Sequence, residues 1–176
     1  QEITGPKVVV IHLPVPGFPY VVGRDGEPPP GAWRTRLSAQ DFLNQLVWTN
    51  DMLESVIDSL LSNPDYSPVI VLQGDHGEND WGDVDLSGEN LLRRDFEILN
   101  AYRLPNGGEN LLYPSISPVN TFRTIFNHYL EADFDILEDR YYLETTSPVL
   151  KVRSDLADPK NGFVEVTEEL NKLSED

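Results

Sequence analysis

The chain has 176 residues, enough for one domain with a substantial core and too few for two comfortable ones. Thirty acids against 13 bases give a formal charge of −17, the wrong sign for gripping a nucleic-acid backbone. There is no cysteine, which excludes disulfides, thiolate chemistry and a Cys-based zinc site.

Residues 7–13, "KVVVIHL", form a continuous β-branched run too short for a helix, and predict a buried strand. In "PVPGFPYVVGRDGEPPPGAW" (14–33) Pro and Gly forbid regular structure, and a loop this long in a compact domain is usually functional or flexible. Residues 38–62 predict a long helix, with Ser38 as N-cap, Asp41 in the first turn and Pro64 beyond its end. Phe42, Leu46, Leu53, Val56, Ile57, Leu60 and Leu61 mark an apolar stripe along it. "SPVIVLQ" (67–73) predicts a second strand. Strand, helix, strand in this order is a βαβ unit with a parallel pair.

Further on, a short helix is expected around 90–95 and a third strand over 97–105. Residues 117–130 predict a helix capped by Ser117, with Pro118 in its first position. "RYYLET" and "GFVEV" are short strand candidates, and "TEELNKLSED" is a weak terminal helix. The fold class expected is α/β, with a mostly parallel sheet and flanking helices. No stretch approaches the length of a membrane span.

The chemistry-bearing feature is "VIVLQGDHGE" (69–78), where an apolar strand runs into Gly74, Asp75, His76 and Gly77. In open α/β sheets ligands bind beyond the carboxyl ends of strands, so Asp75 and His76 have the right address for a site. A carboxylate and an imidazole together suit zinc or manganese, and less typically magnesium. Adjacent residues on a straight strand face opposite ways, so both reach one ion only where the chain leaves strand geometry. Gly74 and Gly77 would allow that. The bland alternative is a hydrogen-bonded turn, and two ligands alone do not complete a catalytic metal site.

"PVIVLQGDHGE" resembles the Asp-His-Gly strand end of the alkaline phosphatase and sulfatase superfamily, in particular its lipoteichoic acid synthase-like and phosphoethanolamine transferase-like branch. The order of elements over residues 7–145 agrees with it: a strand holding His12, the loop "PGFPYVVGRDG", a long helix, the Asp-His-Gly turn, "ILNAYRLP" and "PSISPVNTFRTIFNHYL". The resemblance implies an incomplete alkaline phosphatase-like fold. Residues 1–176 would be a single domain or the C-terminal portion of a larger one, a reading that the first residue, Gln1, suits. It implies that Asp75 and His76 are half of a divalent-metal site. The remaining ligands and a Thr or Ser nucleophile would come from a preceding part of the same domain.

No catalytic residue in this chain matches the family's nucleophile. The family's loop usually carries Pro-His-x-Pro-Phe, and the His position is Gly17 here. His12 is a candidate for substrate binding from the end of its strand. The resemblance further implies a small phosphate- or sulfate-ester or lipid-headgroup substrate, hydrolysed or transferred, and a cell-envelope location. Contact with a membrane would come only through segments of the parent. The competing expectation is a non-catalytic α/β module for assembly or carbohydrate binding, with a degenerate site.

Arg93 and Arg94 could meet a substrate anion but are expected to pair with neighbouring acids, and His128 suits the end of its helix. The acidic loop "DWGDVDLSGE" (80–89) satisfies no calcium-loop register.

Overall fold

A computed structural model describes residues 5, 7–30, 39–77, 88–144 and 162–173. Helices and short sheets make it a mixed α/β structure. The chain divides into two compact units, residues 1–62 with 80–82, and residues 63–79 with 83–176.

The first unit is built on helix α1 (Ala39–Leu61), which ends just before Pro64 as its sequence requires. Its expected cap, Ser38, lies outside the described residues. The face that packs is not the whole apolar stripe. Gln45 and Thr49 are the buried residues of α1, whereas Val56, Leu60 and Leu61 near its end are exposed.

Burying Gln45 makes sense only because its amide is fully used. Oε1 accepts from the backbone N–H of Val21 (3.0 Å) and Val22 (3.1 Å), and Nε2 donates to the carbonyl of Gly17 (2.9 Å). The Thr49 hydroxyl turns back to the Gln45 carbonyl at 2.8 Å. Tyr20 is buried beside them, edge-on to Phe18 and Phe42. One side chain therefore fixes the Pro-rich loop that neither helix nor ladder could organise.

Residues 7–13 do not form the expected strand. They carry no ladder among the described residues, and Val8, Val9, Val10 and Ile11 are exposed. The βαβ expectation rested on them. Among the described residues all strand pairs are antiparallel.

In the second unit β1 (Ile70–Gln73) pairs with β2 (Asn100–Arg103), Val71 opposite Tyr102 and Leu72 opposite Ala101. The reason for the antiparallel direction is visible at the strand end. Gly74 N–H donates to the Leu99 carbonyl at 2.8 Å, so the excursion between the strands opens and closes at the same end of the sheet. A parallel pair needs the chain to cross to the opposite end first. Helix α2 (Gly88–Phe96) lies within that excursion.

Helix α3 (Pro118–Leu130) begins as read, with the Ser117 hydroxyl accepting from Asn120 N–H and Pro118 in the first turn. It joins β2 through Tyr102 and Thr121, whose hydroxyls lie 3.0 Å apart. The second sheet pairs β3 (Tyr142–Glu144) with β4 (Phe163–Glu165), and α4 (Thr167–Leu173) follows. Leu92 of α2, Leu143, Val164 and Val166 form a buried apolar cluster, ringed by Phe96, Tyr141, Leu170 and Leu173.

The irregular run 131–141 opens on Glu131, a left-handed cap residue, and residues 132–140 carry no ladder among the described residues. Instead Asn120 and Asn127, two turns apart on α3, reach across to it. Asn120 Nδ2 donates to the Leu137 carbonyl (2.7 Å) while its Oδ1 accepts the Leu137 N–H (3.0 Å). Asn127 treats Phe134 in the same way, with both bonds at 2.8 Å. Each amide satisfies a peptide group in both directions, as a neighbouring strand would.

Asp139 closes this arrangement. It accepts from Ser117 N–H (2.7 Å), the Tyr113 hydroxyl (2.6 Å) and Asn120 Nδ2 (2.8 Å). Burial raises the Asp139 carboxyl, but the hydrogen bonds from Ser117, Tyr113 and Asn120 outweigh it and hold its pKa below the ordinary value. Burial and the nearby carboxylate push the Tyr113 phenol up.

Replacing fully buried Asn120 by Ala leaves a peptide group and a carboxylate short of partners. We expect Asn120→Ala to lose about 2–3 kcal/mol in urea denaturation, and the more exposed Asn127→Ala about 1 kcal/mol. Asp139 has a folded pKa below its unfolded one, so its contribution is complete above the ordinary carboxylate range. It fades as pH falls through the depressed folded value. Denaturation midpoints followed from pH 6 to about pH 2 should show an acid-dependent loss that is smaller in Asp139→Asn.

Candidate functional site

The residues singled out by sequence fall in different places. His12 is exposed in the irregular segment of the first unit, not in a strand. Asp75 and His76 belong to the second unit and stand together at the carboxyl end of β1.

Beyond Gln73 the chain bends, and the bend turns both side chains the same way. The Asp75 carboxylate Oδ2 lies 3.7 Å from His76 Nε2, and Asp75 Oδ1 accepts the His76 backbone N–H at 3.1 Å. Both side chains are largely exposed, at 81% and 62%. His76 Nδ1 lies 2.7 Å from the Gly77 carbonyl. A carbonyl can only accept, so Nδ1 carries the proton of that bond. In the neutral ring Nε2 then holds the lone pair, on the side of the Asp75 carboxylate. Metal-binding histidines are commonly oriented in this way, one ring nitrogen tied to a backbone carbonyl and the other presented to the ion.

Bonds of about 2.0–2.2 Å to a tetrahedral metal separate two ligands by roughly 3.4 Å, close to the 3.7 Å found. Among the described residues no three His, Cys, Asp or Glu side chains are grouped to hold a metal ion. Residues 78–87, which contain further acids, lie outside the described residues, as does most of the acidic loop.

Of the two glycines that bracket the pair, Gly77 is required by a close approach of backbone. Neither Gly74 nor Gly77 is among the residues with positive φ. Gly77 is buried where the turn meets the end of α2: its N–H donates to the Asp95 carbonyl at 3.2 Å, and a Cβ there would lie 1.5 Å from the Arg94 carbonyl oxygen. Only glycine permits that approach. The carboxyl end of α2, where partial negative charge collects, is thereby set against the turn, a placement that favours cations.

The two arginines of α2 are engaged as their acidic surroundings suggested. Arg93 contacts Glu97 (3.4 Å) and the Leu173 carbonyl, and Arg94 contacts Asp95 (3.4 Å). The Nε of Arg94 is buried without a hydrogen-bond partner. His128 stacks edge-on against Tyr129 in the last turn of α3. In the first unit the Gly17 carbonyl accepts from Gln45 Nε2.

Sequence reasoning missed Gln45, Asn120, Asn127 and Asp139. Gln45 could have been found, because Phe42, Gln45, Leu46 and Thr49 share the helical face that also buries apolar residues. Nothing local marks Asp139, whose partners lie 19 to 26 residues away.

Comparison of the chain with models of protein families, with characterised proteins and with solved structures finds no match. Among the described residues no helix is long and apolar enough to cross a membrane.

Gly77→Ala forces the Arg94 backbone and the turn apart. We expect a loss of about 2 kcal/mol or more in chemical denaturation. Amide NMR shifts should move at residues 74–77 and 94–95, with little change at residues 120–139.

Proposed function

We propose that this chain is the C-terminal portion of a sulfatase-like metalloenzyme domain. In this reading Asp75 and His76 supply half of a divalent-metal site. The nucleophile and the other ligands belong to polypeptide outside the chain. The observation that carries the reading is the pair itself: two metal-competent side chains turned to one side, 3.7 Å apart, with the imidazole held by a backbone carbonyl.

Zinc or manganese is the ion such donors suit best. When bound, it would lower the pKa of the attacking hydroxyl and stabilise charge on the oxygens of a phosphate or sulfate ester. The residues of this chain hold and orient. Asp75 contributes charge, His76 a neutral nitrogen fixed in one tautomer, and Gly77 the close seat against α2 that keeps the turn in place. The complete domain would be the mostly parallel, alkaline phosphatase-like fold, acting at the cell envelope on a small ester or a lipid headgroup.

A second reading is favoured by two observations. The turn at 75–77 is satisfied by its own hydrogen bonds, and Gly17 stands where the family places a histidine that meets substrate oxygens. In that reading the chain is a non-catalytic α/β module for assembly or carbohydrate binding, and the site is degenerate.

Titrating zinc and manganese into the chain, by calorimetry and by manganese-induced broadening of amide signals, separates the two. The first reading expects weak binding at one site, with broadening centred on residues 74–77. Asp75→Ala and His76→Ala should each weaken it at least about tenfold. Equal binding by all three proteins, or broadening elsewhere, leaves the non-catalytic module.

A further inference from the structure

The turn that leaves β2 carries a reactive pair of residues. Asn106 and Gly107 lie between Pro105 and Gly108, with φ of 58° and 86°, and the Gly108 N–H donates to the Pro105 carbonyl at 3.3 Å. Two positive φ values closed by that bond make a type I′ turn, whose left-handed backbone Asn and Gly adopt at least cost. Asn106 is exposed. Among the described residues neither its carboxamide nor the Gly107 N–H takes part in a hydrogen bond.

An asparagine followed by glycine holds both partners of a ring closure in one dipeptide. The Gly107 nitrogen reaches the side-chain carbonyl carbon of Asn106 by rotations within the turn, and no side chain at 107 blocks its approach. The asparagines at 44, 50, 63, 79, 90, 100, 110, 120, 127 and 171 are all followed by a larger residue, and only Asn161 shares the Asn-Gly step.

We propose that Asn106 is a site of spontaneous deamidation, passing through a cyclic imide to aspartate and isoaspartate. The Gly107 amide gives its proton to solvent as its nitrogen bonds to the Asn106 side-chain carbonyl carbon. The bond from that carbon to the carboxamide nitrogen breaks, and the nitrogen leaves as ammonia with a proton from solvent. Water then opens the imide. Opening at the side-chain carbonyl gives aspartate on an ordinary main chain, and opening at the main-chain carbonyl routes the chain through Cβ as isoaspartate. The balance is one water consumed and one ammonia released.

The two products act differently on the fold. Gly108 is buried, and a Cβ there would collide with the Tyr129 hydroxyl, which donates to the Pro105 carbonyl and so ties the turn to α3. Aspartate adds a charge beside Glu109 and keeps the backbone length. Isoaspartate adds a carbon to a two-residue turn that has no room on its Tyr129 side, and releases that tie. None of this depends on the metalloenzyme reading.

Ageing the chain in mildly alkaline buffer at body temperature, folded and unfolded in urea, tests the proposal by peptide mapping and isoaspartate-specific methylation. Asn106 should lose its amide at least about tenfold faster than Asn100, Asn110 and Asn127 in the folded chain, with isoaspartate among the products. Asn161 falls on a different tryptic peptide and is read separately. Asn106→Gly, which keeps the left-handed turn, should show no conversion at that position. Hydrogen exchange at residues 105–111 and 129 should quicken in the isoaspartate fraction and stay close to the unaged chain in Asn106→Asp. Conversion of Asn106 in urea but not in the folded chain, or a folded rate no faster than that of Asn110, overturns the modification site. Unchanged exchange in the isoaspartate fraction overturns the release of Tyr129.

Discussion

A close contact between two pieces of backbone governs the second unit. Gly77 rests against the Arg94 carbonyl and bonds to that of Asp95, while Gly74 bonds to Leu99. These contacts close the excursion between β1 and β2 at its base. They fix the direction of the strand pair, seat the end of α2, and leave Asp75 and His76 no route except outward and side by side. A side chain at position 77 would undo all three together, because no rotamer change relieves a clash with main chain. The backbone that carries Asp75 and His76 is thus placed by packing, while both side chains themselves are largely exposed.

Elsewhere the structure uses amide side chains where a larger protein would use strands. Gln45 gathers a proline-rich loop, and Asn120 and Asn127 hold the run 131–141 against α3. A carboxamide has a donor and an acceptor in the geometry of a peptide group, so it can complete a backbone ladder from a helix surface. Burying it is costly unless every atom is paired, and at Gln45 and Asn120 both ends of the amide are. The same completeness makes these positions specific: an apolar residue of similar size would fill the space and leave the loop's own amides unpaired.

The helices were legible because their signals are local. Ser117 and Pro118 mark the start of α3, and Pro64 lies just past the end of α1, each acting within a turn of its own position. Strand existence was legible at 70–73 and 100–103, but direction was not, since it depends on whether Gly74 meets Leu99. The run at 7–13 carries the composition of a strand, yet composition cannot supply a neighbour. Asp75 and His76 were readable as a pair because they are adjacent in sequence. The carbonyl that orients the ring and the helix end beneath Gly77 emerge only from the fold.

The distribution of apolar side chains bears on how self-sufficient the chain is. Seven are buried among the described residues, against twenty-two large ones exposed. Exposed aliphatic residues are ordinary when scattered, and several on α1 are of that kind. They are not scattered on α3, where Val119, Phe122 and Leu130 follow helical spacing and stand exposed, with Phe126 between them partly buried. Nor are they scattered at 8–11, where no choice of face hides them. A helix stripe requires a layer to cover it and an unpaired strand requires a ladder, and a sheet with its flanking layers supplies both kinds of surface. The chain thus pairs its buried polar joints fully while many of its large apolar side chains stand exposed.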